Sequence, residues 1–110
     1  MEKRFKVELL RDALGFLYSI DEKAREKFFY TLELAQVHND PRILKKLDRE
    51  LWEFRVESRG KQYRFIAFWD KRDRVETLVV CTHGFIKKTD RVAIKEFEKA
   101  RKIMHLYFKD

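Results

Sequence analysis

The chain has 110 residues, 45% hydrophobic and 15% aromatic, which is the length of one domain and too apolar for disorder. Its 26 basic and 19 acidic residues leave a net charge of +7, and its single cysteine, Cys81, excludes an internal disulfide and a cysteine-clustered zinc site. No apolar run approaches the roughly 20 residues of a membrane span, and Met1-Glu2-Lys3-Arg4-Phe5 lacks the apolar stretch of a secretion signal. The expectation is one cytoplasmic domain over residues 1–110, with no membrane association.

Arg4–Leu9 alternates, with Phe5, Val7 and Leu9 on one side, and predicts a short half-buried strand. Asp12–Ser19 follows with Leu10, Ala13, Leu14 and Leu17 at helical spacing. Ser19-Ile20-Asp21-Glu22 punctuates the chain, with either Asp21 as N-cap or a Ser19…Glu22 capping box. A second helix then runs to about Val37, burying Ala24, Phe28, Leu32 and Ala35, until Asn39-Asp40-Pro41 stops it. The short turn between the helices predicts an antiparallel pair lying against a sheet.

Leu51–Glu57 and Gln62–Trp69 alternate strictly around Ser58-Arg59-Gly60-Lys61, a hairpin turn with glycine where a positive φ is needed. Val75–Cys81 predicts a third strand, and Asp90 or Thr89 is placed to cap a last helix burying Ala93, Ile94, Phe97, Ala100, Met104 and Tyr107. The order is β-α-α-β-β-β-α, an α+β chain with an antiparallel sheet packed against an α-hairpin, plus a C-terminal helix.

The hydrophobic pattern selects an even hairpin loop, in which Trp52 opposes Ala67, Phe54 opposes Phe65 and Val56 opposes Tyr63. On the other face Arg55 then lies directly across from Arg64. Like charges so placed repel, and a bound phosphate reverses the sign because each guanidinium can fork onto its oxygens. The alternative is that Glu53 and Glu57 neutralise the two arginines diagonally. Thr82-His83-Gly84-Phe85-Ile86-Lys87-Lys88-Thr89, read as a strand-to-helix junction, adds paired lysines and free helix N–H groups. The charge is concentrated here: residues 42–91 hold fourteen basic and eight acidic groups, +6, against −1 for residues 1–41. Such asymmetry favours a polyanionic partner, or else a solvated surface. No metal-ligand spacing, glycine-rich phosphate loop or nucleophile elbow is present, so no cofactor is expected.

Three motifs in this order, Leu51-Trp52-Glu53-Phe54-Arg55, Gly60-Lys61-Gln62-Tyr63-Arg64 and His83–Thr89, resemble the RelE/ParE superfamily of toxins, nearest its HigB-like, phage-derived branch. The resemblance spans nearly the whole chain. It implies the RelE-like fold and a type II toxin that cleaves messenger RNA on the ribosome without metal, through the RNA's own 2′-hydroxyl. Arg55, Arg64, Lys87 and Lys88 are the expected catalytic set, with the two guanidiniums uncovered and convergent and the lysines supplementing their charge; Arg59, Lys61, His83 and Arg91 are expected to contact RNA. On this reading Arg64→Ala abolishes growth arrest and leaves the fold intact. The implied partners are the ribosome, messenger RNA and a HigA-like helix-turn-helix antitoxin. The alternatives are a ParE-like toxin acting on DNA gyrase, or an inactive member that binds only its antitoxin or nucleic acid.

Overall fold

The computed structural model describes residues 3–74 and 77–109. The elements are β1 (Lys6–Leu9), α1 (Arg11–Ser19), α2 (Glu22–Val37), β2 (Leu44–Lys46), β3 (Trp52–Ser58), β4 (Lys61–Asp70), β5 (Leu78–Lys87) and α3 (Ile94–Phe108). They form one five-stranded sheet in the order β1-β5-β4-β3-β2, antiparallel from β2 to β5, with β1 joining in parallel. The α+β layout expected from the periodicities is thus present, with β2 added at one edge. β2 has only three residues, too few for alternation to show.

The β3–β4 register is the one the apolar pattern requires: Trp52 faces Ala67, Phe54 faces Phe65, Val56 faces Tyr63 and Arg55 faces Arg64. Ser58 pairs with Lys61, so the loop is Arg59-Gly60, with φ of 52° and 77°. Two consecutive positive φ values are the type I′ geometry that matches strand twist.

Helices cover both faces of the sheet. On one face, Ala13 and Leu17 of α1 and Ala24, Phe28, Leu32 and Ala35 of α2 meet Phe54, Val56, Phe65, Ala67, Val79 and Cys81. α1 packs mainly on β5 and α2 on β3. Asp21 resolves the cap, since its carboxylate accepts from the N–H groups of Lys23 and Ala24. On the other face, Ala100 and Met104 of α3 join Leu51, Ile66, Phe68 and Val80, with Phe97 and Tyr107 alongside. Ala93 and Ile94, expected in that stripe, are instead exposed, Ile94 by 76%, because α3 begins only at Ile94 and its packed stripe starts at Phe97. The N-cap is Ala93 rather than Asp90 or Thr89.

The third strand of the meander departs most from expectation. Val75 and Glu76 lie outside the described residues, and β5 continues through the supposed junction to Lys87. The cause is a bulge. Ile66 pairs with His83 but Ala67 pairs with Cys81, so Thr82 is an extra residue in the ladder, its hydroxyl donating to the Ile66 carbonyl at 3.2 Å. The extra residue inverts the alternation. Val79 and Cys81 face α1 and α2, yet beyond the bulge it is Gly84 that faces them.

Gly84 is required by packing. A Cβ there would stand 2.3 Å from Phe16 Cδ2 and 2.9 Å from Phe65 Cε2, rings that themselves meet edge to face at 5.4 Å. Gly84→Ala is expected to destabilise the protein by about 1–3 kcal/mol, read as a lower denaturant midpoint; an unchanged midpoint would mean that α1 can shift freely on β5.

A polar clamp joins the end of β4 to α3. Asp70 accepts from Arg72 Nε (3.0 Å) and Nη2 (2.8 Å) and from the Tyr107 hydroxyl (2.7 Å). Hydrogen bonds from Arg72, chiefly, hold the Asp70 carboxyl well below the usual carboxylate range, and burial first, then Asp70, pushes Tyr107 up to about 12. A carboxyl depressed in the folded state contributes stability above its unfolded value of roughly 3.9, lost as the pH falls through the folded value. Asp70→Asn is therefore expected to lower stability at neutral pH by about 1–3 kcal/mol and to flatten the loss of stability below about pH 4, measured by urea unfolding across that range.

Candidate functional site

Arg55 and Arg64 occupy neighbouring strands on the face that α3 partly covers, and their environments differ sharply. The side chain of Arg55 is 33% exposed, that of Arg64 only 4%. Arg64 Nε lies 3.0 Å from Glu53 Oε1, its Nη2 donates to Gln62 Oε1 at 3.0 Å, and its Nη1 donates to the Tyr63 carbonyl at 3.2 Å. Gln62 in turn donates to Glu57. Arg55 Nε lies 3.6 Å from the same Glu53 oxygen. Glu53 is itself buried, one carboxylate between two guanidiniums. Burial pulls Arg64 below the ordinary guanidinium range, and Glu53 opposes that pull.

This corrects the expectation of two uncovered arginines. The diagonal neutralisation by Glu53 is what forms, and it occupies the buried guanidinium. Arg64 is a brace beneath the site, and removing it leaves Glu53 buried beside a partner 3.6 Å away. Arg64→Ala is therefore not expected to leave the fold intact.

Above this floor lies a cleft of about 320 Å³. Lys45 of β2, Arg55 of β3, Lys87 at the end of β5 and Arg91 of the following loop are its cations; Glu53 and Asp90 are its carboxylates, and Leu47, Val92 and Phe97 its apolar wall. The bulge at Thr82 brings Lys87 here. Lys87 pairs with Gln62, next to the Arg64–Phe85 pair, and so stands on the Arg55 face. In an unbroken ladder the alternation of Val79 and Cys81 would have turned it toward α1.

The other expected residues separate from this group. Lys88 is exposed in an adjoining depression of about 310 Å³ that it shares with Lys87 and Arg91. Arg59 and Lys61 are exposed at the tip of the hairpin, where Arg59 lies 3.9 Å from Asp21. His83 is 2% exposed, its Nδ1 2.9 Å from Thr82 Oγ1 and its Nε2 3.1 Å from Glu96 Oε1. Nδ1 is thus engaged within β5 and Nε2 ties β5 to α3, so the buried ring of His83 stands apart from the cleft. Burial, ahead of the opposing Glu96, pulls it below its ordinary range. Lys45 is the cation that pattern reading missed, since its only signal was the lysine pair inside Leu44-Lys45-Lys46-Leu47.

A sheet flanked by two N-terminal helices and a C-terminal one, with a basic cleft at the end of β5, is compatible with the RelE-like fold. The model of the family described as phage derived protein Gp49-like (DUF891) matches residues 15–105. The chain belongs to the Gp49-like family. This family is related to the RelE and HigB toxins, and the Gp49-like chain is accordingly toxin-like. The match runs from α1 nearly to the end of α3, so it includes every residue of the cleft. No curated protein and no solved structure matches this Gp49-like chain. Among the described residues, no helix is long and apolar enough to cross a membrane, and no three His, Cys, Asp or Glu side chains are grouped to hold a metal ion.

Proposed function

We propose that this protein is the toxin of a type II toxin–antitoxin pair and an endoribonuclease that cleaves messenger RNA on the ribosome. The observation that carries the reading is the convergence of Lys45, Arg55, Lys87 and Arg91 on one cleft with an apolar wall, over a buried Glu53–Arg64 brace. A phosphodiester entering this cleft meets positive charge from three strands and a loop, and Val92 and Phe97 offer a surface for the adjoining base.

The reaction asks for alignment and charge stabilisation. The RNA 2′-hydroxyl loses its proton to solvent and attacks the adjacent phosphorus. The bond from phosphorus to the 5′-oxygen breaks, and that oxygen takes a proton from the Lys87 ammonium. Arg55 stabilises the extra negative charge on the phosphoryl oxygens, with Arg91 beside it. The products are a 2′,3′-cyclic phosphate and a 5′-hydroxyl. Lys88, Arg59 and Lys61 lie outside the cleft and are assigned to ribosomal or messenger backbone. A HigA-like antitoxin would silence the toxin by covering this basic face.

The test is a translation reaction programmed with a defined messenger in the presence and absence of EDTA-treated toxin. Cleavage yielding cyclic-phosphate ends, insensitive to the chelator treatment and reduced at least tenfold by Lys87→Ala, is the expected result. Intact messenger together with inhibited DNA supercoiling by gyrase would replace this reading with the ParE-like one.

A further inference from the structure

A second basic cleft, of about 560 Å³, opens where β2, the start of β3, the end of β4 and the end of α3 meet. Its cations are Arg4, Lys46, Arg49 and Lys71, against the single carboxylate of Glu50, which lies 3.9 Å from Arg101 Nε. Lys46, Arg49 and Lys71 are exposed. Arg4 is a fixed charge, because its guanidinium donates to the carbonyls of Ala35 (2.7 Å) and His38 (3.0 Å). The wall is aromatic: Trp52, Trp69, Phe68 and Phe108. Trp52 and Trp69 meet edge to face at 5.7 Å, and Lys71 Nζ stands 5.6 Å from the Trp69 ring centre. Trp69 Nε1 is buried and has no hydrogen-bond partner among the described residues, although a buried indole N–H ordinarily finds one.

Cations that track a backbone, set beside rings that accept bases, are the combination by which single-stranded nucleic acid is held without sequence readout. The two clefts are also connected. Lys45 lines the first and Lys46 the second. They are successive residues of the outermost strand, so they point to opposite sides of the sheet edge about 3.3 Å apart along it. A strand leaving the Arg55 cleft over β2 is handed from Lys45 to Lys46.

We propose that this tryptophan-lined cleft is a second RNA site, which holds single-stranded RNA continuous with the segment in the Arg55 cleft. The continuity rests on the endoribonuclease reading; the binding itself is measurable without it. An acidic peptide would satisfy the cations but would leave the aromatic wall without a partner.

The chain has two tryptophans, and both line this cleft, so their emission reports on it selectively. The intact protein is titrated with a ten-residue oligouridylate. The expected result is quenched emission with an affinity that falls as salt rises, weakened at least tenfold in Lys46→Glu/Lys71→Glu and retained in Arg55→Ala/Lys87→Ala, with circular dichroism unchanged in both. Three results would overturn the proposal. One is unchanged emission at saturating RNA. Another is quenching abolished by the Arg55/Lys87 pair and kept by the Lys46/Lys71 pair. The third is equal quenching by a deca-glutamate peptide, which would make this a docking surface for an acidic protein. Messenger cleavage, assayed separately, fails or succeeds independently of all three.

Discussion

Arg55→Ala is expected to lower messenger cleavage by about 10²–10³-fold, the effect of deleting one preorganised group that stabilises transition-state charge. Arg55 combines one-third exposure, a place in the cleft wall and a weak hold on Glu53 at 3.6 Å. It is thus the more accessible guanidinium of the two, and its removal leaves the buried Glu53 still paired with Arg64 at 3.0 Å. The variant should keep its unfolding midpoint while losing activity, and the two measurements together isolate chemistry from folding. Cleavage at the wild-type rate by a folded Arg55→Ala protein would remove the site assignment. Arg55→Lys should recover only part of the activity, since an ammonium cannot fork across two phosphoryl oxygens.

Arg64→Ala is expected to act first on stability, by about 3–5 kcal/mol, because it strands the buried Glu53 carboxylate. Such a loss is a large fraction of the stability of a small domain. The protein should unfold at much lower denaturant, and any loss of toxicity would follow from that. The discriminating variant replaces both partners, Glu53→Leu with Arg64→Met. Exchanging a buried ion pair for apolar side chains of similar volume is often neutral, so this double variant should regain most of the stability lost by Arg64→Ala. Its residual cleavage then reports how much the brace contributes by orienting Arg55. A double variant as unstable as Arg64→Ala would show that Arg64 is held by something other than Glu53.

The two predictions separate what local pattern can and cannot reveal. Strand alternation is a property of neighbouring residues, and the core face of β3 and β4 is so consistently apolar that only one register keeps it buried. Arg55 opposite Arg64 followed from that, as did the buried stripe Ala24, Phe28, Leu32 and Ala35 of α2. Two of the three motifs behind the family resemblance lie on the same strands, and the Gp49-like match extends over all three. Beyond Cys81 the pattern misled, because the extra residue at Thr82 inverts the alternation and turns strand into what reads as a connector. Similarly, β2 is short enough to leave no period, and Lys45 went unseen with it.

Composition, register and the identity of the basic side chains were therefore determined by the sequence alone: where the charge lies along the chain, which strands pair, and which residues share a face. The tertiary structure decided which of those charges a ligand can reach. α3 covers one end of the Arg55/Arg64 face, Glu53 captures the covered arginine, and the bulge swings Lys87 to the open side. Each of these depends on burial and on contacts between residues distant in the chain, and burial is what makes a guanidinium a brace in one strand and leaves its neighbour open to the cleft in the next.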